Sequence, residues 1–323
     1  MPERQTILSV PGSVYCEGVM ILRSVLLFLS RRKGLHDWVR TSRLMRPLTS
    51  RFIAGQTLEQ ALAVCRRLRG DGILSTLDRL GESVTSPHEV EESRDGYLEA
   101  LHRVAELQLD STFSIKLTHF GLDVSERVCR DHVETLVREA AAHGKVVEVD
   151  MESSAHVDRT LRLVVGLHEA YRNVRGVIQA YLFRSEKDLE TLCDTGIPVR
   201  LCKGAYRERQ TIAFSRKRDV DANYVRLMKI LLDRGNYPGL ATHDEKIIEE
   251  AKRYAREKGI GAEEFEFQML YGIRRDLEKQ FVQQGYRLRL YVPYGDAWYP
   301  YFMRRLAERP ANLLFLVRNL VRG

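Results

Sequence analysis

No C-x-x-C pair occurs in these 323 residues, and the five cysteines (Cys16, Cys65, Cys129, Cys193, Cys202) are an odd number. That argues against a disulfide framework or a structural zinc site and fits a reducing cytosol. The apolar run over residues 19–29 is broken by Arg23 and lacks a small-residue cleavage site, so it reads neither as a membrane span nor as a signal peptide. No low-complexity tract or linker divides the chain. The dinucleotide fingerprint G-x-G-x-x-G and the phosphate loop G-x-x-x-x-G-K-[ST] are both absent. So is the serine elbow G-x-S-x-G. No cluster of histidines with carboxylates has ligand spacing, so no metal is expected; His119, His132, His143, His156 and His168 read as surface groups.

What is present is a composition of 44% hydrophobic and 29% charged residues, that of a soluble globular protein. The net charge of +7 is unevenly spread. Residues 1–70 hold 12 Lys and Arg against 4 Asp and Glu, while the remainder holds 39 against 40. The basic stretch is either a solvated helical face or a surface for an anionic partner, nucleic acid or lipid. It reads as helical: an apolar helix over 19–29, then Arg31-Arg32-Lys33, then a helix opened by the capping box Thr57-Leu58-Glu59-Gln60.

From residue 70 onward the pattern is strand, loop, helix, repeated. Strands are expected over 73–77, 113–117, 146–151, 176–182, 198–202, 237–241, 265–270 and 288–292. Helix starts are expected at Ser86-Pro87, with Pro at the first helical position, and at Ser185 and Asp244 as N-caps. A further helix is expected after Pro300. Eight strands alternating with helices point to an α/β fold, a (β/α)8 barrel of the TIM type with additional N-terminal helices; an open doubly wound sheet is the alternative. The expected division is a helical segment 1–70 packing on a barrel 71–323.

In such a barrel the chemistry sits at the C-terminal strand ends. There the chain supplies Asp78 and Glu82, Lys116, Asp150, Gln179, Arg200 and Lys203, Thr242-His243, Gln268 and Tyr291. A charge within an apolar strand is costly unless paired, so Lys116, Asp150 and Arg200 are either structural ions or functional groups. On the last helix Tyr301, Arg304, Arg305 and Glu308 share one face, and two guanidiniums make a clamp for a carboxylate or phosphate. The surplus of cations suits an anionic substrate or cofactor.

Seven blocks carry a resemblance. They are residues 113–118 (FSIKLT), 149–152 (VDME), 179–182 (QAYL), 200–208 (RLCKGAYRE), 241–244 (ATHD), 265–272 (FEFQMLYG), and 291–293 (YVP) with Arg304-Arg305-Leu306. In this order they resemble the proline dehydrogenase family, in its short monofunctional bacterial branch, from about residue 50 to the end. The resemblance implies a distorted (β/α)8 barrel that binds FAD and oxidises L-proline to Δ1-pyrroline-5-carboxylate. It assigns the proline carboxylate to Lys116, Arg304 and Arg305, the ring to Leu270, Tyr291 and Tyr301, and catalysis to Asp150 and Arg200. It assigns FAD to Met151, Gln179, Arg200, Lys203, Gly204, Ala205, Thr242 and His243, and a gate over the site to Glu82 with Arg304. Cys202 stands where valine is common, which raises a question about oxidation. The retained Tyr291 favours proline over hydroxyproline.

The resemblance further implies a membrane quinone as electron acceptor. It leaves a cytoplasmic protein with a candidate peripheral membrane contact through the basic N-terminal helices, and no nucleic acid. The competing readings are a barrel serving only as a scaffold for a nucleic-acid or membrane binder, and a barrel enzyme acting on a phosphorylated metabolite.

Overall fold

The computed structural model describes residues 52–81, 84–206 and 208–308, without the side chains of residues 304–308. The expected helix over 19–29, the Arg31-Arg32-Lys33 cluster, Glu82 and the side chains of Arg304 and Arg305 therefore lie outside the described residues.

Two compact units divide the chain: Ile53–Gly295, and Met1–Phe52 together with Asp296–Gly323. The first is a closed barrel of eight parallel strands in sequence order. They are β1 (Leu74–Arg79), β2 (Ser111–Ile115), β3 (Val147–Val149), β4 (Val174–Gln179), β5 (Val199–Cys202), β6 (Gly239–Ala241), β7 (Glu266–Leu270) and β8 (Arg287–Tyr294). β8 returns to pair with β1, so no sheet edge is left open. Helix α1 (Leu58–Gly70) precedes β1. The connecting helices are α2 (Pro87–Glu106), α3 (Glu126–Ala142), α4 (Val157–Tyr171), α5 (Ser185–Asp194), α6 (Lys217–Arg234), α7 (Glu245–Lys258) and α8 (Arg275–Gln283).

The strands are buried on both faces. Outward side chains such as Leu77, Phe113, Val147, Val149, Leu201 and Phe267 are fully enclosed under the helices and form the main apolar core. The helices are fixed by local signals. Thr57 and Ser86 each close a capping box, Pro87 opens α2, and the Asp244 side chain accepts from the Lys246 N–H.

Several boundaries shift, each for a local reason. Lys116 and Asp150 lie one residue beyond their strands rather than within them, and Lys116 leads into a short 3-10 turn, Leu117–Phe120. β4 stops at Gln179 because its carbonyl turns to accept from Leu182 N and Ser185 Oγ. With its hydroxyl spent there, Ser185 is the first residue of α5, not its cap. β6 starts at Gly239 because Tyr237 is left-handed, at φ 45°. His119 and His168 are buried, against the expectation of surface groups. Burial holds the His119 imidazole down to about 4, so it is neutral at physiological pH.

In the second unit, helix α9 (Trp298–Glu308) starts two residues before Pro300. Proline is tolerated there because the first-turn N–H groups have no intrahelical partner. Trp298 packs edge-on against Tyr299 and Phe302 with ring centroids 5.9 Å apart, and Phe52 lies 6.4 Å from Phe302. No helix among the described residues is long and apolar enough to cross a membrane.

Candidate active site

Alternate residues of the strands face the barrel axis, and here they carry charge. Contacts between strands that are not neighbours must cross the interior. Arg175 on β4 reaches Glu266 on β7 at 2.7 Å, and Thr76 on β1 reaches Glu148 on β3 at 3.0 Å. Arg289 grips Glu266 with two nitrogens, at 2.8 and 3.1 Å. Glu148 also accepts from Thr112 and from Arg200. Burial alone would raise the Glu148 carboxyl, but Arg200, Arg175 and Arg289 outweigh it and hold it at about 2. The same balance, led by Arg289, keeps Glu266 well below the usual carboxylate range.

Above this tier sits Arg200. It donates through Nε to Gln268 at 2.6 Å, and through Nη1 to Ser114 at 3.0 Å and Asp150 at 2.8 Å. Its guanidinium also lies 5.3 Å from the Tyr291 ring centroid. Burial opposes its charge, yet Glu148 and Asp150 raise its pKa further, so it is a permanent cation. Asp150 is oriented on all sides, because Ser114 Oγ and Tyr291 OH donate to it as well, at 2.8 and 3.0 Å.

Lys116 differs from Arg200. Its ammonium lies 3.4 Å from each of Asp78 Oδ1, Asp150 Oδ2 and Tyr291 OH. These are longer than the ~2.7–2.9 Å of a charge-assisted bond. Burial would drive its proton off, but Asp78 and Asp150 raise its pKa well above the ordinary lysine value. A half-buried, charged and loosely held ammonium at the strand ends is disposed to engage an arriving anion.

The ends of β4 to β7 form a second group. Gln179 donates to Glu152 O at 2.8 Å and accepts from Ala205 N at 3.3 Å, which ties two loops together. Lys203 donates to Asp221 and Asp244, at 2.5 and 3.0 Å. Burial is outweighed by Lys203, and Asp244 is held down to about 2. His243 Nε2 accepts from Leu270 N at 3.0 Å, which puts the proton of a neutral ring on Nδ1. Asp244 N donates to Thr242 Oγ1 at 3.1 Å, and Met151 is buried. Gly204 takes φ 112°, and a Cβ there would stand 2.2 Å from the Tyr181 ring. The Tyr181 hydroxyl is buried with no hydrogen-bond partner among the described residues. A set of amide, ammonium and imidazole groups beside an idle phenol fits a ring-bearing anionic cofactor.

The structure thus brings Lys116, Asp150, Arg200 and Tyr291 into one network, and Gln179 with Ala205 into another. Tyr301, Arg304 and Arg305 lie on α9, in the other unit. Sequence reasoning missed Glu148, Arg175, Glu266 and Arg289. Their signal was the i, i+2 spacing of Glu148 with Asp150, Glu266 with Gln268, and Arg289 with Tyr291 along one strand face. It also missed a trio on α2, on α3 and at the C-cap of α3. His102, Glu139 and His143 have ligand atoms within 4.8 Å of one another, which corrects the expectation that no such cluster has ligand geometry. There one Glu139 oxygen is shared, 2.9 Å from His102 and 3.4 Å from His143.

Comparisons bear on this geometry. The family model described as proline dehydrogenase matches residues 61–318. Proline dehydrogenase 1 of Bacillus subtilis (strain 168) is 40% identical over 304 residues, covering 94% of this chain and 100% of that protein. The proline dehydrogenase of Deinococcus radiodurans is 40% identical over 309 residues, covering 94% and 99%. Among solved structures, proline utilization A (PutA) from Bdellovibrio bacteriovorus superposes with a TM-score of 0.79 at 25% identity. That match covers 94% of this chain and 39% of that one.

Proposed function

Because the chain belongs to the proline dehydrogenase family, and is a flavin-dependent oxidoreductase of proline catabolism, we propose that FAD is its cofactor and that it passes electrons to a membrane quinone. The observation that carries the site reading is the loosely held Lys116 ammonium beside the fully anchored Arg200–Asp150 pair. Bound flavin would take up the hydride that leaves proline C5.

The chain's own residues do the rest. Lys116, with Arg304 and Arg305, neutralises the substrate carboxylate and fixes its orientation. Leu270, Tyr291 and Tyr301 hold the ring. Arg200, locked by Glu148, Asp150, Ser114 and Gln268, keeps a fixed positive charge where negative charge would develop on the reduced flavin. Asp150 orients both cations. Met151, Gln179, Lys203, Gly204, Ala205, Thr242 and His243 hold FAD at the ends of β3 to β6. The family resemblance would give Glu82 and Arg304, outside the described side chains, the role of a gate that excludes water. The excess of cations over residues 1–70 supports a docking of the protein on the membrane surface where the quinone resides.

The test is anaerobic titration of the purified yellow protein with L-proline. Bleaching of the ~450 nm flavin band, saturable in proline and released as FAD on denaturation, is expected. A colourless protein, or flavin that proline leaves oxidised, overturns the reading.

A further inference from the structure

On the outside of the barrel, away from the strand ends, His102 of α2 meets Glu139, in the last turn of α3, and His143, that helix's C-cap. Glu139 and His143 are four residues apart, so their side chains leave the same face of α3. The two helices lie side by side, and their buried faces carry Leu101, Val104, Leu136 and Ala140. Lys145, just past α3, donates to Leu109 O, just past α2, at 2.7 Å and ties the two exits together.

The three side chains converge. Nε2 of His102 lies 2.9 Å from Glu139 Oε1, and Nε2 of His143 lies 3.4 Å from the same oxygen. The two rings meet edge to face with centroids 5.6 Å apart. Among the described residues no lysine or arginine pairs with Glu139; the imidazoles, His102 first, are what hold its carboxyl below the ordinary value. Arg103, beside His102, is taken by Glu106 at 2.6 Å. The side chains of His102, Glu139 and His143 are 49%, 40% and 37% exposed, so an ion can enter from solvent without disturbing the core.

The donor set selects the ion. Two imidazoles and a carboxylate suit zinc and its borderline neighbours, whereas magnesium and calcium take oxygen ligands. A tetrahedral zinc with bonds of about 2.1 Å spaces its ligand atoms about 3.4 Å apart. The His143 contact already has that spacing, and the His102 contact needs to open by only about 0.5 Å. The carbonyls at the C-terminal end of α3 also favour a cation there.

We propose that His102, Glu139 and His143 form a binding site for a divalent cation of the zinc class, with water in the fourth position, which clips α2 to α3. Each neutral ring carries its proton on Nδ1 and gives the Nε2 lone pair to the ion, and Glu139 supplies a carboxylate oxygen. The consequence is mechanical. Tyr97 of α2 donates to Ser114 O at 2.8 Å and accepts from Arg79 N at 3.2 Å, which keys this helix to β1 and β2. The ion holds the keyed helix in place and takes no part in the chemistry at the strand ends.

Zinc alone tests it. Full-length, flavin-loaded protein freed of metal with a chelator is titrated with zinc chloride by calorimetry and unfolded in urea with and without the ion. The wild type should bind about one zinc per chain, and its urea midpoint should rise because the ion binds the folded state. His102→Ala and His143→Ala should each weaken binding at least about a hundredfold, beyond the roughly 10–100-fold that an outer-shell contact is worth, and remove the stabilisation. Both side chains are exposed, so the variants should fold and oxidise proline at the wild-type rate. His88→Ala, which removes an exposed imidazole beside Glu92, is the control and should bind zinc as the wild type does. No binding by the wild type, a smaller loss in either variant, an equal loss in the control, or binding that leaves the urea midpoint unmoved overturns the proposal.

Discussion

Lys116 and Glu148 lie in the same interior but answer to different measurements. On the proposed reading Lys116→Met removes a cation from the substrate carboxylate, so kcat/KM for proline should fall roughly ten- to a hundredfold, the equivalent of about 1.5–3 kcal/mol for a charged hydrogen bond. Flavin content should stay near that of the wild type. A wild-type kcat/KM in steady-state assays would remove Lys116 from the carboxylate clamp. Glu148 bears on stability. Its folded carboxyl titrates at about 2 against an ordinary 4.5, a depressed value. Such a group stabilises the fold above the unfolded pKa, and that contribution is lost as pH falls through the folded one. The wild type should therefore lose stability progressively between pH 4.5 and about 2. Glu148→Gln leaves arginine charge uncompensated and should cost about 3–5 kcal/mol at neutral pH. Its stability should also change less across the acid window. Urea unfolding at a series of pH values checks both, and an unaltered acid limb in the variant would assign that limb to other carboxylates.

On the proposed reading, the loop after β5 is where an element, rather than a side chain, makes the cofactor site. Gly204 is left-handed there and lies against the Tyr181 ring, so Gly204→Ala adds both strain and a clash. It should lose flavin on gel filtration while keeping the far-ultraviolet circular dichroism of the wild type. Retention of full flavin would show that the loop adjusts without harm to the site. Cys202, beside this loop, has its thiol pushed up to about 12, chiefly by burial. It is therefore protonated at neutral pH, which answers the concern about oxidation.

The elements were largely legible from sequence because turn residues and apolar runs punctuate every unit, and all eight strands fall within three residues of their expected bounds. The misplaced ends are those set by tertiary contacts, such as the Gln179 carbonyl that captures Ser185. At the site, residues at strand ends were legible, since polarity after an apolar run is visible in sequence. The tier below was not. Glu148 and Arg289 sit within their strands and Glu266 opens β7, and only closure of the barrel shows that they meet partners in its interior.

For the whole molecule, the basic segment over residues 1–70 sets an expectation distinct from catalysis. If it docks on lipid, the protein should co-sediment with anionic vesicles at low salt, at about 1 kcal/mol per engaged cation. Binding should weaken with added salt and with Arg31, Arg32 and Lys33 changed to Gln, while dye-linked activity stays unchanged. No sedimentation at low salt would leave residues 19–29 as an ordinary packing helix.

The ring of ions that fills the barrel also governs which sequences can descend from this one. Each member is enclosed, so replacing any one of them strands its partner as a bare charge, at about 3–5 kcal/mol. Replacing two that cancel keeps the charges balanced, and Arg175, which would lose Glu266, keeps Glu148 at 3.5 Å. Glu266→Met and Arg289→Leu should each be severely destabilising, whereas the double variant should be more stable than either, with a coupling of about 0.5–3 kcal/mol measured by denaturant unfolding. Descent along this axis of the molecule then proceeds by paired steps across a valley, and the strand faces that hold these residues should drift only in concert.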